Sequence, residues 1–495
     1  MLTAVMWIPD SKKERKPLIL TVVNGLLMCG AGVTYLAVII SLVNNAYISD
    51  YSALGWADSF SRMVDTMSES YVSRDDKNID FAELKSKYVP MVEQAEKQND
   101  QKEFAKVLLE YQYEFYDSHI WLQQNKSAVA QAEHELVGND YGLSMYRIDN
   151  GDMIAVMVED GSQAEKAGIH NGTVIKKWNG TDVDEAVNTV LCIDRNYQFE
   201  VLENEALMKP IFLAGQGQET AEVTFISDDG STKTVNLDSI GSYKLREAKV
   251  INRLYSKNRI PNENFSCKMI SDDVGYLRIS EERYETELND IITYAVGKQK
   301  SVYDETDAKL QALSDKGMKY LVLDLRNNTG GYEQVGTAVA SLFADRTLTG
   351  RSAVTINGRL VPIHTISTFS EGKWKDIPVA VLVNDATMSC GDRLTDMLSR
   401  CPNVTVMGIT STSNSTHTIG GCCYLSDDMF EVYYPIIYAL DENNEILEVT
   451  ADRRAKVGFD LRIPVDHDAA MMIFSDSEKD YELDYAVDYL HRQQG

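Results

Sequence analysis

Ser389 stands where the sequence predicts that a buried strand turns into a helix. The apolar run 379–383 is typical of the strand, and apolar residues at helical spacing in 393–398 indicate the helix. A serine at such a junction can act as a nucleophile, because a helix N-terminus offers unpaired amides and positive partial charge to a developing oxyanion. Cys390 follows as a conceivable second nucleophile, although buried cysteines are usually inert.

A second segment with chemical potential runs from Asp324 to Gly331. Its apolar start predicts a strand, and its end, Gly330-Gly331, predicts a tight turn. Two consecutive glycines let the backbone approach a ligand closely with its amides exposed, although the same pair suits an ordinary strand-to-helix turn. Both interpretations remain open from these residues alone.

Three sequence patterns along the chain predict the elements that position these residues. Residues 51–124 carry interleaved apolar and charged residues at helical spacing, which predicts an amphipathic helical layer. From about residue 133 the pattern changes to short β runs separated by glycine turns. The last 230 or so residues alternate strand and helix, which predicts an α/β core with parallel strands.

The glycine-rich middle segment contains a recognisable order of signals. The Ala-x-x-Ala-Gly step at 164–168 predicts a short helix ended by glycine, and Asn179-Gly180 predicts a hairpin turn. This order resembles a PDZ domain, and the resemblance places Tyr141-Gly142-Leu143 in the carboxylate-binding loop. A PDZ domain adds a peptide as an extra strand and captures its C-terminal carboxylate on backbone amides. The alternative is a spacer of similar shape that binds nothing.

Three motifs follow in the core: Gly275 to Ile279, Asp324 to Gly331, and Val381 to Asp392. With the PDZ-like segment before them, they resemble the tail-specific (C-terminal processing) serine peptidases over roughly residues 50–490. The resemblance implies Ser389 as nucleophile, with the amides of Gly331 and Cys390 as the oxyanion hole. It also implies protein or peptide substrates, unstructured or C-terminal in character, and no metal or other cofactor.

The general base departs from the family pattern. In the resembled family it is a Lys about twenty-five residues after the nucleophile, a position that Asn414 occupies here, and no Lys occurs between Lys375 and Lys456. His417 lies in the same polar loop, and an imidazole near its unperturbed pKa of about 6.5 is a competent base. Either His417 replaces the Lys, or the chain binds peptides without cleaving them.

Three other residues have weaker signals. Asp392 either orients the site or caps the helix that begins beside it. The order Asp117-Ser118-His119 is more typical of a hydrogen-bonded loop than of a catalytic histidine. His364 is a distant alternative base, because its segment is expected in a connecting hairpin.

Charge and hydropathy limit the possible partners and cellular location of the protein. The chain has 495 residues and a formal net charge of −27, which disfavours nucleic-acid binding. Residues 17–43 carry no charged side chain and follow a basic flank at residues 12–16, which predicts a membrane helix with the N-terminus cytoplasmic and the catalytic region extracytoplasmic. A cleaved signal peptide is the alternative.

The predicted architecture is therefore an α/β peptidase core, resembling the tail-specific proteases, with an N-terminal helical layer, a PDZ-like β-rich domain and one transmembrane helix. The expected boundaries are a cytoplasmic tail at 1–16, a transmembrane helix at 17–43, a helical domain at 44–130, a PDZ-like domain with an insertion at 131–246, and the catalytic core at 247–495.

Overall fold

The computed structural model of the protein describes residues 48–193, 198–257, 259–261, 263–283, 299–356, 358–369, 372–475 and 479–493. The chain passes from a layer of helices through a β-rich region into an α/β core.

The first described region is built mainly of helices. Its elements are β1 (Ile48–Asp50), α1 (Trp56–Ser70), α2 (Phe81–Gln98), α3 (Gln101–Tyr113), β2 (Trp121–Gln123) and α4 (Lys126–Val137). Helices α2 and α3 begin where Asp80 and Asp100 accept hydrogen bonds from first-turn amides, which satisfies donors that the helix itself leaves unpaired. Their apolar faces pack together around fully buried side chains such as Phe60 and Phe104.

The middle region is rich in short strands. Its elements are β3 (Asn139–Asp140), β4 (Ser144–Arg147), β5 (Met153–Val156), α5 (Gln163–Lys166), β6 (Ile175–Trp178), β7 (Thr181–Asp182), α6 (Val183–Ala186), α7 (Leu202–Leu213), β8 (Thr220–Ile226), β9 (Thr232–Asp238), β10 (Gly241–Ser242) and α8 (Lys244–Leu254). One sheet has the order β7–β6–β8–β9, while β4 and β5 form a separate hairpin against which α7 packs. Asn179 and Gly180 form the turn between β6 and β7 with positive φ, as their sequence predicts.

The core follows with alternating strands and helices. Its elements are β11 (Ser266–Met269), β12 (Val274–Arg278), α9 (Gln299–Ser314), β13 (Tyr320–Asp324), α10 (Glu333–Ala340), β14 (Thr349–Ile356), β15 (Arg359–Ser367), β16 (Val379–Leu382), α11 (Cys390–Ser399), β17 (Val404–Gly408), β18 (Thr418–Tyr424), β19 (Glu431–Leu440), β20 (Leu461–Arg462), α12 (His467–Ser475) and α13 (Tyr481–Arg492).

The central sheet has the order β11–β12–β13–β16–β17–β20, and every pair except β11–β12 is parallel. Strands β13 and β16 are buried at every position, because helices cover both faces of the sheet. Leu323 clusters with Leu394 of α11, whereas Val322 of the same strand clusters with Leu490 of α13. Parallel strands end at one edge of the sheet, and the turns after β13 and β16 meet at that edge.

A second sheet joins the helical layer to the core. Its strands run in the order β1–β18–β19–β14–β15, with β2 also paired to β19. Since β1 precedes α1 and β2 follows α3, the helices α1 to α3 are attached to the core at both ends. Phe104 also packs on Phe430, with ring centroids 5.2 Å apart. The helical layer therefore forms one wall of the space above Ser389.

The prediction of a membrane location is wrong for the part of the chain that the structure describes. In the described ranges, no helix is both long enough and apolar enough to cross a bilayer. The predicted span at 17–43 and the predicted tail at 1–16 both lie outside the described residues.

Candidate active site

Ser389 lies in the turn between β16 and α11 with a backbone conformation that is rare for a side-chain-bearing residue, φ 59° and ψ −121°. The residue is half-buried, and it lines a cavity of about 390 Å³. Its hydroxyl forms no hydrogen bond with any residue that the structure describes. The turn thus presents an unengaged hydroxyl to the cavity at the first turn of α11, where strain of this kind is often functional.

The glycine turn after β13 packs directly on this hydroxyl-bearing turn. A Cβ atom at Gly330 would lie 2.6 Å from Ser389 Cβ and 2.8 Å from the Cys390 nitrogen, so only glycine fits there. Gly330 and Gly331 both have positive φ. In the described chain, the amides of Gly331 and Cys390 donate to no other group, so both are available to stabilise negative charge beside Ser389.

The loop that contains Asn414 is held from below by Asp392. This aspartate is fully buried, and its carboxyl oxygens accept hydrogen bonds from the backbone amides of Asn414 (2.9 Å) and Ser415 (3.1 Å). Burial raises the pKa of Asp392 to about 8. The carboxyl bonds to this loop, and the structure records no side-chain cap at the start of α11. Asp392 therefore supports the loop from beneath the cavity.

Asn414, at the position of the resembled family's Lys, is a structural residue in this fold. Its side-chain nitrogen donates to the carbonyls of Thr412 and Val457, both at 3.0 Å. Its oxygen accepts from the amides of Lys456 (2.5 Å) and Val457 (2.7 Å). The amide side chain is fully buried, and an amide does not act as a general base. Its hydrogen bonds hold the loop against the segment at 456–457.

His417 lines the same cavity as Ser389, and its side chain is completely buried. Its Nδ1 lies 2.9 Å from Glu448 Oε2 and 2.9 Å from Ser73 Oγ. The backbone amide of His417 also donates to Glu448 Oε2. This carboxylate therefore fixes both the loop and the imidazole orientation. Sequence analysis missed Glu448 because an isolated Glu carries no local signal.

His119 is the second imidazole at the cavity. It lines the 390 Å³ space and an adjoining cavity of about 970 Å³, and Ser389 and Gly331 line both. Its backbone amide donates to Asp117 Oδ1 at 2.9 Å, which is the loop hydrogen bond that the Asp-x-His order predicts. Burial lowers the pKa of His119, which keeps the ring neutral. The Asp-x-His order was the available signal for this residue.

Three carboxyl groups behind the imidazoles could in principle hold a cation. Suitable oxygens of Asp117, Glu200 and Glu448 lie within 4.8 Å of one another. The ammonium of Lys77 already lies beside all three, at 3.6, 3.2 and 3.1 Å respectively. The cluster is therefore built around a lysine.

The remaining predicted residues lie elsewhere. The side chains of Tyr141 and Leu143 are buried in the core of the β-rich region, and neither lines the Ser389 cavity. Gly142 has φ 83°, and its amide donates to Asp140 Oδ1 at 2.8 Å. His364 lies on β15 at the rim of the cavity, 2.8 Å from Glu333.

Comparisons with known proteins show similarity in sequence and in fold. Residues 273–446 match the model of peptidase family S41. A "Probable CtpA-like serine protease" of Staphylococcus aureus strain N315 is 25% identical over 299 residues, covering 59% of this chain and 47% of the relative. The "Carboxy-terminal processing protease CtpA" of Bacillus subtilis strain 168 is 24% identical over 275 residues, covering 54% and 45%. The chain thus spans about half the length of these curated relatives.

The structure of mature CPAF is similar over 89% of this chain and 98% of that one, with a TM-score of 0.55 and 12% identity. At this identity the similarity shows the fold. Together with the S41 match, it confirms the predicted resemblance to the tail-specific peptidases. The segment that carries Ser389 therefore matches the S41 peptidase model, and the chain shares its fold with mature CPAF.

Proposed function

We propose that this protein is a serine endopeptidase that cleaves protein or peptide substrates through an acyl-enzyme on Ser389. One observation carries the proposal: an unbonded hydroxyl on a strained turn shares its cavity with three imidazoles and lies beside two unpaired amides. In this mechanism Ser389 Oγ attacks the peptide carbonyl, and the amides of Gly331 and Cys390 stabilise the oxyanion. The amine leaves, and water releases the acyl group.

An imidazole accepts the proton from Ser389, and we assign this role to His119. This ring lines both cavities that Ser389 lines, and its lowered pKa leaves it neutral and able to accept a proton. Its Nδ1 is buried without a partner in the described chain, so Nε2 is the nitrogen available to the cavity. In this assignment His417, which Glu448 holds, is a supporting residue of the site and does not accept the proton.

The alternative assignment makes His417 the base. It is favoured by the contact between Nδ1 and Glu448, which resembles the way an acid orients the base of a catalytic triad. Comparison of His119→Ala with His417→Ala separates the two assignments. Loss of the base should slow acylation about 10²–10⁴-fold and abolish the acidic limb of its pH profile, whereas loss of the supporting ring should slow acylation and retain that limb.

Covalent labelling with a fluorophosphonate tests the nucleophile. Labelling should require Ser389 and survive Cys390→Ala, because burial raises the pKa of the Cys390 thiol to about 12 and leaves it protonated. Labelling that persists in Ser389→Ala would contradict the proposal. A folded wild-type protein that takes up no label would instead favour a peptide-binding protein without activity, the alternative to which Asn414 at the Lys position points.

For substrate capture we propose the β-rich region as a PDZ-like module. Support comes from the glycine loop that leads into β4 and from α7, which packs beside that strand. The side chains of Tyr141 and Leu143 are buried, and the Gly142 amide already donates to Asp140 Oδ1. The backbone amides of Tyr141 and Leu143 are therefore the groups of this loop that we assign to a C-terminal carboxylate. Peptides with a free C-terminus should therefore bind more tightly than the same peptides amidated, as fluorescence anisotropy can measure. Equal affinities would argue against the module.

A further inference from the structure

Lys77 is a buried cation beneath the proposed active site. Its side chain is only 4% exposed, and its ammonium donates to the carbonyl of Tyr116 at 2.9 Å. The carboxyl groups of Asp117, Glu200 and Glu448 complete its surroundings at 3.1–3.6 Å. The four charged residues come from four separate parts of the chain, so only the folded protein assembles this cage.

The charge states in the cage are strongly perturbed. Burial alone would lower the pKa of Lys77, but the three carboxyl groups outweigh it and raise this pKa, so the amine stays protonated and cannot serve as a base. Burial raises the pKa of Glu200 well above its usual range, which favours its neutral form. Burial would also raise the pKa of Glu448, but His417 and Lys77 outweigh it and lower that pKa.

Two carboxyl groups of the cage also hold the histidine segments. Glu448 contacts Lys77 through Oε1 and His417 Nδ1 through Oε2. Asp117 contacts Lys77 through Oδ2, while its Oδ1 accepts from the backbone amide of His119. One ammonium therefore contacts both the carboxyl group that holds the His417 ring and the carboxyl group that holds the His119 backbone.

Other groups pack around the cage and complete its polar contacts. The hydroxyl of Tyr71 donates to Asp117 Oδ2 at 2.7 Å, and the amide of Ser118 donates to Glu200 Oε1 at 2.8 Å. The titratable groups facing Lys77 are Tyr71, Asp117, His119, Glu200, His417 and Glu448.

We propose that Lys77 is a positioning residue for the proposed peptidase reaction: its ammonium fixes the carboxyl groups that hold His119 and His417, and offsets the negative charge that would otherwise favour the protonated imidazoles. Without this cation, Asp117 and Glu448 would stabilise the imidazolium form. The base would then be protonated over a wider pH range, and its segment would lose an anchor. The predicted effect on the reaction rate rests on the proposed function, whereas the positioning of the histidine segments does not.

The pH dependence of fluorophosphonate labelling tests the inference. Lys77→Met should move the acidic limb of the labelling rate to higher pH and slow labelling at neutral pH at least fivefold. Lys77→Arg, which keeps the charge, should restore the position of the limb. The matched control is Lys85→Met, which removes a lysine of the exposed pair with Asp65 in the same layer and should leave the profile unchanged. A folded Lys77→Met protein with the wild-type rate and limb would overturn the inference.

A second readout is independent of activity. In a Ser389→Ala background, NMR titration of the His119 ring should show that Lys77→Met raises its pKa, because the Lys77 charge lowers that pKa in the wild type. Unchanged ring titrations would overturn the inference, whereas an unlabelled wild-type protein would overturn only the proposed function. If Lys77→Met does not fold, Lys77→Met/Asp117→Asn removes one cation and one carboxyl group together. This variant should label more slowly than wild type, and labelling at the wild-type rate would also refute the role of Lys77.

Discussion

Asn414 shows how one residue can change both the chemistry and the packing of a site. At the position of the resembled family's Lys, the chain has an amide that is fully buried and hydrogen-bonded through both its nitrogen and its oxygen. This amide closes the loop that leads to His417. The proton acceptor must therefore come from elsewhere. Among the described residues the candidates are the cavity imidazoles of His119, His364 and His417.

Restoring the lysine should not restore a lysine base. Asn414→Lys would place an ammonium among backbone groups and leave the amides of Lys456 and Val457 without their acceptor, at about 1–3 kcal/mol for each unpaired group. We expect a lower free energy of unfolding and slower labelling, measured by denaturant titration and fluorophosphonate uptake. Asn443→Lys in an exposed turn is the control for adding a charge. Faster labelling of Asn414→Lys would contradict this account.

At the scale of elements, the site depends on two turns packed against each other. The turn after β13 carries Gly330 and Gly331, and the turn after β16 carries Ser389. Their contact follows from the parallel pairing of β13 with β16, which brings both carboxyl ends to one edge of the sheet. Each turn is recognisable in the sequence, but their distance is a property of the sheet.

A methyl group at Gly330 should separate the two turns. Gly330→Ala adds a Cβ 2.6 Å from Ser389 Cβ at a residue with φ 85°, so we expect labelling to fall at least tenfold and stability to fall by about 1–3 kcal/mol. Gly151→Ala is the matched control, because Gly151 also has positive φ (93°) but open space around it. Gly151→Ala should lower the stability only through the strain of an alanine with positive φ. Equal labelling of the two variants would count against the packed-turn geometry.

At the scale of the whole molecule, the β-rich region and the core share a hydrophobic cluster, and the buried side chain of Asn204 adds a polar contact between them. Asn204 of α7 donates to Asp385 Oδ1 at 2.5 Å and to the carbonyl of Ser411 at 3.2 Å, and its oxygen accepts from the Ser411 amide at 3.1 Å. Both partners lie in loops that flank Ser389. The proposed peptide-binding region is thus in direct contact with the proposed catalytic loops.

Removing this contact should affect the reaction more than peptide binding. Asn204→Ala should destabilise the protein by about 1–3 kcal/mol, since Asp385 and the Ser411 backbone lose buried partners. We expect a lower kcat on a peptide substrate with little change in peptide affinity. Asn150→Ala, in an exposed turn, is the control. A normal kcat in a folded Asn204→Ala protein would show that the contact is only structural.

The stability of the molecule should fall as pH rises through neutrality. Burial raises the pKa of Glu282 and Asp392 to about 8 and that of Asp385 and Glu482 to about 7. Between about pH 4 and pH 8 the native state holds protons that the unfolded chain has released, so the free energy of unfolding declines with increasing pH. Urea titrations at pH 5 and pH 8 measure this decline.

Glu282→Gln isolates one contribution to this pH dependence. The carboxyl group of Glu282 accepts from Asn328 through Oε1, and a neutral glutamine can keep that contact. Because the variant cannot ionise, its stability should decline less steeply between pH 5 and pH 8 than that of the wild type. A stability that is constant or increases over this range in the wild type would refute the protonated state of these buried carboxyl groups.

The sequence by itself determined the local elements and the resemblance to the tail-specific peptidases. The strand-turn-helix around Ser389, the Gly330-Gly331 turn and the order of the core motifs depend on short-range periodicity and turn chemistry, which neighbouring residues specify. They were sufficient to predict an α/β core of the tail-specific type. The predicted domain boundaries stay predictions, and the membrane location is corrected.

Only the tertiary structure decided which groups surround Ser389. His119 and Lys77 belong to the helical layer, far from Ser389 in sequence. His119 lines the cavity and Lys77 lies buried beside Asp117, because β1 and β2 pair with β18 and β19 of the core. Glu448 joins them from the segment after β19. No local sequence pattern predicts these contacts, since they result from the packing of elements that are distant in the chain. The same packing places the Asp-x-His loop at the cavity.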